Sequence, residues 1–281
     1  MSKLVGIWGN PYIDLESVLD TSPLDDIDEE VCYGLPQVEV SYTGGSLKWL
    51  GVAAPWVVED EYVDLGHVIE EFSREEFEKL VSLADDPSIF DAARYQEYEF
   101  GDETDHPLNR KQMLYLKYTY GVYFPWKAAY HLLENVRWED KHSGAGKDFS
   151  EEAKRVFPKT VAYIKSLPFR EIGRCVIFGI EANDHATLHR DSEPGKDLGI
   201  PQCINICPRA DKEFYLCDAD DDEVVQVQSR LFWFNDMDYH GVDPAPYFRY
   251  SIRIDGMFEP SFVEELQNKF GRKRRTRRHP V

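Results

Sequence analysis

The 281-residue sequence lacks several features that would assign it to a membrane or secreted class. It has no apolar run of the roughly 18 residues that a membrane-spanning helix requires. The apolar stretch within residues 1–11 is too short for a signal peptide. The five cysteines are odd in number and form no Cys-x-x-Cys pair, which disfavours a disulfide framework. These absences predict a soluble protein with reduced thiols, located in the cytoplasm.

The segment from His189 to Ser251 contains the most informative pattern. His189-Arg190-Asp191 is followed after 48 residues by His240, and Arg249-Tyr250-Ser251 begins nine residues beyond that histidine. A His-x-Asp triplet arises easily by chance in so acidic a chain, whereas Arg-x-Ser at a fixed distance from a histidine is rare. Two imidazoles and one carboxylate can occupy a triangular face of Fe(II) and leave the opposite positions open. The combined pattern therefore predicts an iron site.

Over residues 170 to 258 the pattern resembles the Fe(II)/2-oxoglutarate-dependent oxygenase superfamily, which carries His-x-Asp…His on a double-stranded β-helix. The resemblance implies Fe(2+) held by His189, Asp191 and His240, with O2 and 2-oxoglutarate as cosubstrates. It further implies that Arg249 and Ser251 clamp the distal carboxylate of 2-oxoglutarate. The intact Asp191 carboxylate argues against the halogenating members, in which that ligand is replaced. The subfamily stays open.

The strand predicted over residues 248–255 offers two candidate anchors. Alternation places Arg249, Ser251 and Arg253 on one face, together with Asp255. A guanidinium matches a carboxylate through two parallel hydrogen bonds, and a hydroxyl two residues on can add a third. We favour Arg249, because its distance from the second histidine fits the superfamily and because Arg253 has Asp255 as a nearby partner.

Short apolar runs and turn signals predict a mainly β fold with flanking helices, with a double-stranded β-helix (jelly-roll) core at about 170–258. The predicted strands cover 173–181, 187–191, 202–207, 213–217, 223–228, 231–235 and 248–255. Asn205 lies on one of these strands and could hydrogen-bond the cosubstrate. A polar side chain satisfied inside the barrel is the simpler interpretation.

The region before the core is predicted to supply strands and bracing helices. Residues 37–52 resemble a hairpin, and Ser73 to Glu76 form a capping box that opens a helix through Leu83. Further helices are predicted over 88–98, 126–136, 149–166 and 260–270. We therefore expect one oxygenase domain over residues 1–271, with N-terminal strands and helices at 1–169, and a flexible basic tail at 272–281.

Charge is distributed unevenly along the chain. The net charge is −20, yet residues 272–278 contain six basic side chains, and the remainder has 26 basic against 52 acidic residues. Such a tail is typical of RNA or ribosome contact or of a nuclear-localisation signal, and a tail with no specific partner is an equally open interpretation. The acidic body disfavours a nucleic-acid substrate and fits a basic protein or peptide better, while solubility or salt tolerance is an equally open reason for the acidity.

The sequence thus predicts a dioxygenase that decarboxylates 2-oxoglutarate to succinate and CO2 and hydroxylates an amino acid, free or within a protein. One alternative is a non-catalytic jelly-roll protein that binds metal or RNA and is recruited through the tail. Another is a cupin-like isomerase or hydrolase, which would have no use for the Arg249 clamp. A structural zinc site normally has four protein ligands, whereas this set supplies three.

Overall fold

The computed structural model describes residues 3–40, 72–98, 108–120, 128–134, 140–183, 185–192, 199–218 and 223–271. The predicted hairpin at 37–52 lies largely outside these residues, and the basic tail lies wholly outside them. Among the described residues, no helix is long and apolar enough to cross a membrane.

The described strands form two antiparallel sheets. They are β1 (Tyr12–Asp14), β2 (Ala128–His131), β3 (Phe169–Ile180), β4 (Ala186–His189), β5 (Cys203–Ile206), β6 (Phe214–Cys217), β7 (Val224–Gln226), β8 (Leu231–Phe234), β9 (Tyr239–Val242) and β10 (Arg249–Phe258). A six-stranded sheet has the order β1-β8-β5-β10-β3-β2, and a four-stranded sheet has the order β4-β9-β6-β7.

The strand order is that of a jelly roll. From β3 to β6 successive strands alternate between the two sheets, β7 pairs with β6, and β8 to β10 alternate again. This winding is a double-stranded β-helix of eight strands, which β1 and β2 extend at the two edges of the larger sheet. The predicted fold is confirmed, and its core spans 169–258.

The helices are α1 (Leu24–Gly34), α2 (Arg74–Val81), α3 (Arg110–Tyr120), α4 (Glu151–Val156), α5 (Pro158–Ser166) and α6 (Pro260–Phe270). The capping box is confirmed: Ser73 Oγ at the start of α2 accepts from the amide of Glu76, and the amide of Ser73 donates to the carboxylate of Glu76. Helix α6 has the predicted bounds.

The predicted helix at 126–136 is wrong. Residues Ala128–His131 instead form β2, which pairs with β3 from Ala128↔Gly179 to His131↔Val176. The long neighbouring strand offers a complete backbone ladder, and such tertiary pairing overrides a weak local preference for helix.

Two other predicted helices differ from the structure for local reasons. The helix predicted at 149–166 is divided into α4 and α5 at Phe157, whose backbone is non-helical because Pro158 follows it. The helix predicted at 88–98 is replaced by short 3-10 segments. There Asp86 and Asp91 accept from backbone amides two residues on, which favours turns over a continuous helix.

Most buried apolar side chains form one cluster between the sheets and against the helices. The apolar run Leu231–Phe234 lies wholly in it, as the sequence predicts. A smaller cluster joins α2 and α3 around Phe77, Leu80 and Leu116. All five cysteines are free thiols, and only Cys32 is exposed. The fold therefore encloses the strand faces that carry the candidate site.

Candidate metal centre

His189 and His240 lie side by side at the ends of two neighbouring strands. They are direct partners in the β4–β9 ladder, and their ring centroids are 4.4 Å apart. Asp191 completes the cluster: its carboxylate oxygens lie 3.7 Å from His189 Nε2 and 3.8 Å from His240 Nε2. One ligand atom from each residue lies within 4.8 Å of the others. The structure thus assembles the three side chains that the sequence pattern selected.

Asp191 is placed differently from its expected position on a strand. Strand β4 ends at His189, so Asp191 belongs to the following loop. That loop is held because the amides of Asp191 and Ser192 both donate to the carbonyl of Asp236, at 2.9 and 3.3 Å. Loop geometry, and not strand alternation, brings the carboxylate to the imidazoles.

The protonation states of the cluster suit metal binding. Burial lowers the pKa of His240 to about 3, with His189 acting in the same direction, so its imidazole is neutral near pH 7. Burial opposes ionisation of Asp191, but the nearby cations, chiefly the guanidinium of Arg253, outweigh it and lower the pKa of this carboxyl. A neutral His240 imidazole beside an ionised Asp191 carboxylate supplies two of the donors that Fe(II) accepts on one face, and His189 lies next to both.

Hydrogen bonding selects the nitrogen that His240 presents to the cluster. His240 Nδ1 donates to the carbonyl of Asp238 at 3.0 Å, so Nε2 carries the lone pair that faces Asp191. The rings of Phe214 and Phe234 pack against His240, with centroid distances of 5.7 and 4.9 Å. These contacts hold the ring in a site with little access for water.

Arg253 is bound to carboxylates on three sides. It donates to Asp191 Oδ2 at 2.6 Å, to Asp236 Oδ2 at 3.1 Å and to Asp255 Oδ1 at 2.9 Å. Lys141 donates to the same oxygen of Asp236 at 2.9 Å. These contacts assign Arg253 to orienting Asp191, which weakens it as the rival anchor for a cosubstrate.

Arg249 lies four residues earlier on the same face of β10 and is fully buried. Its guanidinium donates to the backbone carbonyls of Asp243, Ala245 and Tyr247, at 2.8, 3.2 and 3.3 Å. It therefore also supports the loop that joins β9 to β10. Its proposed contact with 2-oxoglutarate stays a prediction.

The sequence reasoning missed Lys212, which lies close to Ser251 inside the barrel. This buried ammonium donates to Ser251 Oγ at 2.5 Å and to the carbonyl of Phe178 at 3.4 Å. Burial is the main cause that lowers its pKa to about 8, and the guanidiniums of Arg249 and Arg253 act in the same direction. Nothing in the local sequence distinguishes this lysine from a surface one, because its contacts come from strands far along the chain.

Asn205 pairs with Arg253 across the β5–β10 ladder and is buried. Its side-chain amide lies 3.6 Å from Cys203 Sγ, a contact within its own strand. This contact agrees with a polar residue satisfied inside the barrel, and a role towards a cosubstrate stays a prediction.

The depressed pKa of Lys212 predicts a pH-dependent effect of Lys212→Met. In the unfolded chain the lysine titrates near 10.5, so between about pH 8 and 10.5 the unfolded state binds more protons and folding stability rises with pH. The variant lacks this gain. We expect its stability relative to wild type to be greatest near pH 7 and to fall steadily above pH 8, measured by urea unfolding. A difference that is constant across this range would contradict a buried, charged Lys212.

Comparison with known proteins finds similarity only in structure. No protein-family profile and no curated protein sequence matches the chain. A 2OG-Fe(II) oxygenase family oxidoreductase from Burkholderia pseudomallei matches 45% of this chain and 65% of its own length, at 11% identity and a TM-score of 0.30. A prolyl-4-hydroxylase from Pseudomonas putida matches 46% and 71%, at 12% identity and a TM-score of 0.27. A prolyl hydroxylase from Trichoplax adhaerens matches 42% and 60%, at 16% identity and a TM-score of 0.26.

At these identities and scores the likeness says nothing about what this chain acts on. The chain's own features are more informative: an eight-stranded double-stranded β-helix carries a His-x-Asp…His cluster in which both histidines are buried and the aspartate is partly buried. This is the arrangement that the resemblance to the Fe(II)/2-oxoglutarate-dependent oxygenase superfamily implied.

Proposed function

We propose that this protein is an Fe(II)- and 2-oxoglutarate-dependent oxygenase that hydroxylates an amino acid, free or within a protein or peptide. The observation that carries the proposal is the cluster of buried His189 and His240 with partly buried Asp191 at the end of the jelly-roll strands. Three ligands leave coordination positions for a cosubstrate and oxygen, whereas a structural zinc site would fill all four of its positions with protein.

The chain's own groups prepare this centre. The neutral imidazole of His240 presents a lone pair, and Arg253 donates to the Asp191 carboxylate that lies beside both histidines. When bound, Fe(2+), 2-oxoglutarate and O2 supply the oxidative chemistry, in which the keto acid becomes succinate and CO2 and one oxygen atom enters a C–H bond. The rings of Phe214 and Phe234 pack against His240 and shield this side of the centre from water.

Basic side chains inside the barrel also provide a site that can bind the distal carboxylate of 2-oxoglutarate. Arg249 and Ser251 occupy the same face of β10 as Arg253, and Lys212 reaches Ser251 from the loop before β6. A bound carboxylate would stabilise the ammonium that burial destabilises. We therefore assign Arg249, Ser251 and Lys212 together to this carboxylate.

The acidity of the chain supports a basic protein or peptide as substrate over nucleic acid. Contact with RNA or ribosomes through residues 272–278 stays a prediction from composition, as does the cytoplasmic or nuclear location.

An anaerobic titration with Fe(II), with and without 2-oxoglutarate, tests the proposal directly. We expect a visible charge-transfer band only when both are present, because a 2-oxo acid that chelates iron produces one. Succinate, which lacks the keto group, is the matched control and should give no band. Iron binding without a band would reject the cosubstrate, and absence of iron binding would reject the metal centre.

A further inference from the structure

The turn Asn235–Asp238 contacts both segments that carry the candidate ligands. All four of its residues are buried. The carbonyl of Asp236 accepts from the amides of Asp191 and Ser192, and the carbonyl of Asp238 accepts from His240 Nδ1. The position of this turn therefore determines where two of the three ligands lie.

The N-terminal segment, residues 4–10, holds this turn from the other side. The amides of Val5 and Gly6 donate to the two carboxylate oxygens of Asp238, at 2.6 and 2.7 Å. In return, Asn235 Nδ2 donates to the carbonyl of Gly6 at 3.0 Å. The contacts join positions more than 200 residues apart in the chain.

The N-terminal segment is itself a tight loop. Ile7 and Asn10 exchange two backbone hydrogen bonds, at 2.8 and 2.9 Å. Gly6 has a φ of +57°, and a Cβ there would lie 2.3 Å from the carbonyl oxygen of Asn10. Only glycine fits this position without displacing the backbone. The two amides therefore reach Asp238 from a closed, well-defined loop.

We propose that Asp238 is a positioning residue for the metal centre. The backbone amides of the N-terminal segment hold the Asp238 carboxylate in place, and the Asp238 carbonyl thereby orients the His240 ring. The inference rests on the proposed function, since it concerns metal affinity at the same three ligands. A ligand imidazole needs a fixed partner for its second nitrogen, and loss of such partners typically weakens metal binding about 10- to 100-fold. In this protein the hydrogen bonds that hold Asp238 come from the first ten residues of the sequence.

Asp238→Asn tests this inference with little change in shape. The amide keeps one acceptor oxygen but turns its NH2 towards the other backbone amide, so one hydrogen bond is lost and two donors face each other. Glu30→Gln is a matched control, because Glu30 accepts from the consecutive amides of Lys159 and Thr160, at 2.8 and 2.7 Å, far along the chain from the ligands.

Titration of the full-length apoprotein with Co(II), followed by its visible absorption, measures metal affinity without turnover. We expect Asp238→Asn to raise the Kd for Co(II) about tenfold and Glu30→Gln to leave it unchanged, at a temperature where both are folded. Hydrogen exchange of the peptide containing residues 236–242 should be faster in Asp238→Asn alone.

Gly6→Ala provides a second variant that leaves the turn's sequence intact. It displaces the N-terminal loop and should also weaken Co(II) binding, although less than Asp238→Asn. An unchanged Kd for Co(II) in Asp238→Asn, or an equal loss of Co(II) affinity in Glu30→Gln, would overturn this inference but not the proposed function. A wild-type protein that binds no Co(II) would overturn the proposed function and this inference with it.

Discussion

Replacing His240 or His189 with alanine is expected to abolish iron-dependent turnover of 2-oxoglutarate. Each change removes one of three ligands, and the remaining pair holds the metal weakly. The fold should survive, because the β4–β9 ladder is made by backbone groups. Succinate formation without added substrate measures the loss, and thermal melting monitors the fold.

His131→Ala is the control for this pair of variants. His131 lies on β2, at the edge of the larger sheet, and is not part of the ligand cluster. It should retain turnover close to that of wild type. Wild-type turnover in His189→Ala or His240→Ala would disprove the ligand assignment.

Arg249→Ala is expected to raise the concentration of 2-oxoglutarate required for half-maximal turnover by a large factor. A buried carboxylate that loses a charge-assisted partner is destabilised by roughly 2–5 kcal/mol. Ser251→Ala should cost on the order of 1 kcal/mol, as one neutral donor is lost. Because Arg249 also holds three loop carbonyls, Arg249→Lys, which keeps the charge but loses the planar fork, provides a variant less prone to unfolding.

Arg253→Ala should behave differently, because Arg253 contacts Asp191. We expect weaker metal retention with a smaller effect on the cosubstrate requirement once iron is saturating. If Arg253→Ala raised that requirement more than Arg249→Ala at saturating iron, Arg253 would be the anchor and our assignment would be wrong.

Much of the jelly roll was predictable because its strands are short apolar runs with clear turns between them. The runs that became β3, β5, β6, β8 and β10 were all identified from alternation and burial of their own residues. Strand β9 was missed, although it carries His240, because Gly241 interrupts the apolar pattern of Tyr239–Val242. Its strand conformation depends on β4 and β6, which flank it.

The candidate ligands could be selected from the combined His-x-Asp…His…Arg-x-Ser pattern and its resemblance to a known superfamily, whereas the groups around them could not. Lys212 and Ser251 are 39 residues apart in the sequence, and Asp238 is hydrogen-bonded to Gly6 at a separation of 232 residues. The residues that neighbour a lysine or an aspartate in the sequence do not indicate that it will make such a long-range contact. Residues that support a site through long-range contacts therefore become visible only when the fold is known.

The direct pairing of His189 with His240 has a consequence for the lifetime of the folded state. A divalent ion bound to both imidazoles would cross-link β4 to β9 and close a covalent-like loop through the intervening strands β5 to β8. Opening the smaller sheet would then require the metal to leave first. Iron would thus slow the unfolding of this barrel, and a chelator would shorten its survival even when no cosubstrate is present.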